Sequence, residues 1–142
     1  MACLLKRRRR ALLVSTVLVL SILTGLAVLQ RLASPVHCVT DSSESYFNSF
    51  DIRGGSVYFD CYVTFVNQAS TNKSFVVWAN SPTDQSSGLL QNSKMRLDNM
   101  KAPLTLKANE TRQFHMVFVG EHGNNYQKSD RLLPEIEVQI VR

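Results

Sequence analysis

Catalytic signatures are scarce in this chain. It has no Gly-x-Ser-x-Gly elbow, no phosphate-cradling glycine loop and no His-Glu-x-x-His pair. These absences remove the nucleophile-elbow hydrolase, the P-loop nucleotide binder and the zinc protease. The three histidines, His37, His115 and His122, stand at no zinc-ligand spacing from another histidine, cysteine or acid. His37-Cys38 offers only two adjacent side chains that point apart along an extended segment. Cysteine is sparse: Cys3, Cys38 and Cys61 are the whole set, and none follows Trp78, so the Cys…Trp…Cys frame of immunoglobulin domains is incomplete. There is no internal repeat, no low-complexity tract and no amphipathic helix. No cofactor or metal is expected, and the chain does not read as an enzyme.

Acidic residues are missing before Asp41, and that absence locates the charge. The formal net charge is +5, but five of the 16 Lys and Arg are the consecutive Lys6, Arg7, Arg8, Arg9 and Arg10. Without them 11 basic residues face 11 acidic ones, so the remainder is formally neutral and nothing points to nucleic acid. Directly after the basic cluster, Ala11–Leu29 runs 19 residues without a charge. As a helix it would cover about 28 Å, close to the hydrocarbon thickness of a bilayer. With only Arg31 near its far end, positive-inside logic sets residues 1–10 in the cytoplasm and everything after Gln30 outside. The competing reading is a cleaved signal peptide, which would release a secreted domain. Signal h-regions run about 7–15 residues, shorter than this segment, and the small-residue cleavage sites here are poor, so the uncleaved anchor is preferred. Ser21 and Gly25 form a small-xxx-small pair of the kind that lets membrane helices approach, and Cys3 precedes the basic cluster as an ordinary thiol.

Residues 30–43 read as a polar tether, and 44–142 as one extracytoplasmic domain. Val57 to Asn67 is its clearest strand, with Val57, Phe59, Cys61, Val63 and Phe65 on one face and Tyr58, Asp60, Tyr62 and Thr64 on the other. Further period-2 segments lie at Ser45–Ile52, Ser74–Ala79, Leu104–Ala108, Arg112–Val119 and Glu135–Arg142, with Gly54-Gly55 as a turn. Gly88–Met100 fits neither period and is taken as a loose strand or a crossover between sheets. About seven short strands without a helix predict an all-β fold, an antiparallel immunoglobulin-like or fibronectin-like β-sandwich behind one transmembrane helix. Two glycosylation triplets, beginning at Asn72 and Asn109, fall in predicted turns.

The expected function is a non-enzymatic, single-pass membrane-anchored module that binds an envelope or cell-surface macromolecule. Two alternatives stand beside it: an accessory subunit of a membrane complex, and an exported enzyme or metal binder using His115 and His122. Cys38 and Cys61, the only cysteines beyond the apolar segment, are expected to form a disulfide in an oxidising compartment. The long connection Gly120–Pro134 is the expected partner site, through Tyr126, Lys128 and Arg131.

Overall fold

The computed structural model describes residues 13–24, 35–99, 102–124 and 132–142. Two compact units divide the chain, one up to Ser34 and one from Pro35 to Arg142. The first unit contributes a helix, α1, over residues 13–24. Its aliphatic side chains are exposed all round, from Leu13 to Leu23. Its hydroxyls turn back on the helix: Ser21 Oγ donates to the Val17 carbonyl and Thr24 Oγ1 to the Leu20 carbonyl, both at 2.9 Å. Twelve residues rise about 18 Å, and among the described residues no helix is long and apolar enough to cross a membrane. The expected Ala11–Leu29 span is therefore not seen as a crossing helix; its ends, and Lys6, Arg7, Arg8, Arg9 and Arg10, lie outside the described residues.

The second unit is antiparallel β throughout. Its elements are β1 (Val36–Cys38), β2 (Tyr46–Arg53), β3 (Ser56–Asn67), β4 (Lys73–Asn80), a short helix α2 (Pro82–Ser86), β5 (Lys94–Leu97), β6 (Leu104–Leu106), β7 (Thr111–Glu121) and β8 (Glu135–Ile140). The strands form one ladder in the order β1-β3-β7-β5-β4-β6, with β2 on β3 and β8 on β4. The expected antiparallel β fold is present, but the two sheets anticipated for a sandwich are hydrogen-bonded into one. The join is β5, whose Trp78–Asn80 partners lie on β4 while its Arg96 and Leu97 face Val119 and Phe118 of β7. Only Met95 and Leu97 alternate inward in this four-residue strand, too few to show a period in the ambiguous Gly88–Met100 stretch. The polar stretch read as a tether also contributes a strand, since β1 pairs Val36 with Asn67 and Cys38 with Phe65.

Turn chemistry sets the register. Gly54 and Gly55 take φ of +54° and +84°, the two positive values that a two-residue type I′ hairpin requires, and Arg53 lies opposite Ser56 across them. Pro82 follows the end of β4 and opens α2, where its missing N–H costs nothing. Asn67 is fully buried yet satisfied: its amide nitrogen donates to the Thr71 and Lys107 carbonyls at 3.0 and 2.9 Å, and its Oδ1 accepts from Ala69 N at 3.0 Å.

Alternation along β3 and β7 builds the core. Val57, Phe59, Cys61, Val63 and Phe65 are each 0–1% exposed, and Met116 and Phe118 join them from β7. The pairs Phe59↔Phe118, Cys61↔Met116 and Val63↔Phe114 put these side chains on the same face. Gly120 lies opposite Val57 for a packing reason: a Cβ there would stand 2.8 Å from Leu90 Cδ2 and 2.9 Å from Met95 Cγ. The register makes a direct prediction. Phe118→Ala removes a fully buried ring and is expected to cost about 3–5 kcal/mol. Gln139→Ala, at an exposed position of β8, should stay within about 0.5 kcal/mol. Urea melts of the two variants check this, and equal midpoints would mean that the inward and outward faces are misassigned.

Candidate functional site

The outer face of β2, β3 and β7 carries a row of rings. Tyr46, Tyr62 and His115 lie in cross-strand register. Tyr46 and Tyr62 stack with centroids 5.2 Å apart, and Tyr62 and His115 stack at 4.9 Å. Both pairs are inclined by only 26°, so the rings stand side by side on the sheet with their polar tips at its surface. His115 Nε2 and Asp60 Oδ1 are 2.8 Å apart, which closes the end of the row. One strand step away, the Arg53 guanidinium lies over the Tyr58 ring at 5.1 Å and pairs with Asp51 at 2.6 Å. The hydrogen bond from Arg53 holds the Asp51 carboxyl below the usual carboxylate range.

A β-bulge assembles this row. From Arg53↔Ser56 to Ser49↔Asp60 the hairpin is regular, but between Ser49 and Phe47 the register slips by one residue. Without that slip Tyr46 would face Val63 and point into the core. With it, Tyr46 reaches the outer face beside Tyr62, while Phe47 and Phe50, three apart, both pack on Phe59. Alternation along β3 already placed Tyr58 and Tyr62 outward. The bulge brings in Tyr46, and no period-2 reading of Ser45–Ile52 reports it.

A second feature lies across β4 and β5. Trp78 alternates outward between the buried Val77 and Ala79 and faces Arg96 in register. Its indole N–H donates to the Glu137 carboxylate on β8, and Lys94 Nζ sits 4.5 Å from its ring centre. Trp78 is thus half-buried on the outer face, outside the core. β5 pairs with Trp78–Asn80 and β6 with Lys73–Phe75, so neither covers Val76 or Val77. The gap is part of a groove of about 1190 Å³.

The expected Cys38–Cys61 disulfide is not formed; both thiols are free. Cys38 lies opposite Phe65, four residues along β3 from Cys61. That offset is about 13 Å along a strand, whereas a disulfide needs Cα atoms within about 7 Å. Burial pushes both thiols up: Cys38 above its ordinary value, and Cys61 to about 12, with the Asp60 charge adding to the shift. His115 and His122, the alternative metal pair, are seven residues apart along one extended segment, about 24 Å. Among the described residues no group of three His, Cys, Asp or Glu could hold a metal ion. His122 Nε2 is buried without a hydrogen-bond partner there. Tyr126, Lys128 and Arg131 lie outside the described residues. Asn72 and Asn109 are both exposed in turns, Asn109 at φ +57°. In comparisons with protein-family models, curated proteins and solved structures, nothing matches this chain.

The free thiols predict an alkaline sensitivity. An unfolded chain releases the Cys61 proton near 9.0, while the folded domain holds it to about 12. Cys61 therefore contributes stability that is full below about pH 9 and is lost as pH rises toward 12. Urea melts between pH 7.5 and 10.5 should show wild type losing stability faster than Cys61→Val, which fills a similar volume and cannot ionise. Parallel pH profiles would count against a buried thiol, and so would failure of denatured, unreduced protein to label at both Cys38 and Cys61.

Proposed function

We propose that the chain is a single-pass membrane anchor displaying an immunoglobulin-like or fibronectin-like β domain on the extracytoplasmic side. The domain's work is to bind another envelope or cell-surface macromolecule. The observation that carries the binding part is the ring row Tyr46–Tyr62–His115, closed by Asp60. Tyrosine has few rotatable bonds and a polar tip, so a pre-stacked row gives large contact area with little ordering cost. The rings are held by cross-strand register rather than by loops, which keeps the face in one shape before any partner arrives. Tyr126, Lys128 and Arg131 of the Gly120–Pro134 connection are proposed as a second contribution to the same recognition.

Support for the anchor comes from residues 13–24, a helix with aliphatic side chains on every side and hydroxyls satisfied internally. A helix that is apolar all round needs an apolar environment. The basic cluster at Lys6–Arg10 favours the cytoplasmic side for the N-terminus.

Two measurements test this reading. In intact cells, an impermeant probe at Arg142 should react without permeabilisation, and replacing the five basic residues by Gln should give mixed orientation; reaction only after permeabilisation would reverse the topology. Crosslinking on the same membranes should recover one dominant protein partner with wild type. Tyr46→Ala/Tyr62→Ala should lose most of that crosslink while keeping its melting temperature to within a few degrees. If this variant crosslinks as wild type does and Tyr126→Ala/Arg131→Ala does not, the site belongs to the connection and not to the sheet face.

A further inference from the structure

The groove beside Trp78 has a chemistry separate from the tyrosine face. Its floor is apolar, from Val76 and the half-exposed indole, and β5 lines it with Lys94 and Arg96. Neither cation has a carboxylate partner among the described residues, where the ion pairs are Arg53–Asp51, Arg112–Glu110 and His115–Asp60. The Lys94 ammonium rests on the indole face at 4.5 Å, a contact that an incoming anion can share or displace. Glu121 is the one carboxylate in the lining, and Asn92 Nδ2 donates to it at 3.3 Å. The nearby Glu137 carboxylate is occupied by the indole N–H. Lys94 and Arg96 therefore face the groove without a carboxylate partner among the described residues, while Glu121 and Glu137 keep their charge and accept from neutral N–H donors.

The spacing of these cations narrows the ligand. Lys94 and Arg96 are alternate residues of one strand, on the same face and about 7 Å apart. An extended peptide repeats its own side chains at that distance, so carboxylates at alternate positions meet the two cations one to one. The volume, about 1190 Å³ in an open groove, exceeds what a single small anion fills.

We propose that the Val76–Trp78–Lys94–Arg96 groove binds an extended acidic peptide of a protein partner, with Asp or Glu at alternate positions. Arg96 supplies a planar, two-pronged contact to one carboxylate, and Lys94 a point charge to the next. The inference does not depend on the tyrosine face or on which side of a membrane the domain stands. Its site and its ligand charge are both different.

The chain contains one tryptophan, and it lies in this groove, so its emission reports occupancy without a label. Full-length protein in detergent micelles is titrated with a short peptide of alternating valine and glutamate, and with the lysine and glutamine versions. The expected result is a saturable change in Trp78 emission with the glutamate peptide alone, weakening as salt is raised. Lys94→Glu and Arg96→Glu should each weaken binding by about tenfold or more, as loss of one charge-assisted contact implies. The double charge reversal should transfer binding to the lysine peptide, an outcome that general damage cannot produce. Both positions are exposed, and melting curves confirm that the variants fold; Lys94→Gln/Arg96→Gln replaces any that do not. Several results would overturn the proposal: no emission change with the glutamate peptide, an equal response to all three peptides, or unchanged affinity after charge reversal. Displacement of the peptide by a sulfated polysaccharide of greater affinity would also overturn it, because the groove would then be a polyanion site.

Discussion

The β3–β7 ladder is the interaction on which the rest of the domain depends. Its register runs unbroken from Ser56↔Glu121 to Val66↔Thr111. Side chains alternate along it, so a slip of one residue would send the inward set of one strand, Phe59, Cys61 and Val63 for β3, to the surface together. The cost of exposing those buried groups, at about 1.5–3 kcal/mol each, is comparable to the whole stability of a domain of this size. Every other strand is placed by reference to this pair. β1 and β2 line one edge of β3, and β5 takes the free end of β7. Gly120 belongs to the same constraint, because it leaves room over Val57 for Leu90 and Met95 to cross the core.

The same ladder also sets the composition of the outer face. Whatever stands between the core positions must point outward, and those residues are Tyr58, Asp60, Tyr62, His115 and Val117. The core register thereby fixes the aromatic row as well. The groove at Trp78 comes from the opposite circumstance, an interruption. β5 and β6 are short and cover different ends of one edge of β4, so pairing along that edge lapses at Val76 and Val77, which β8 pairs on the other edge. One surface follows from continuity of hydrogen bonding and the other from a gap in it.

Much of the fold was legible because period-2 alternation is a local property. Val57–Asn67 announced Val57, Phe59, Cys61, Val63 and Phe65 as buried, while Thr64 on its other face and Val119 in β7 are buried although alternation places them outward. Gly54-Gly55 announced a turn through the one chemistry that tolerates two successive positive φ values. Elements without enough alternating positions were not legible. β5 has four residues and β1 has three, and a strand that short is specified by its neighbours more than by its own pattern. The disulfide expectation failed for a related reason. Two cysteines beyond the apolar segment satisfy the count, but pairing them depends on strand offset, and Cys38 is matched to Phe65 rather than to Cys61.

By itself the sequence determined that the chain has a basic start, an apolar segment and an antiparallel β domain whose core is the inward half of two long strands. Those properties are encoded in composition and in spacing along the chain, which need no knowledge of what lies beside each residue. Only the tertiary structure decided that β5 would join the sheets, that Tyr46 would turn outward beside Tyr62, and that Trp78 would meet Lys94 and Arg96. Each of these is a relation between segments far apart in sequence. The bulge at Phe47/Ser49 and the register of Trp78 on Arg96 come from fitting strands together around a shared core, so neither has a signature in the residues that carry it.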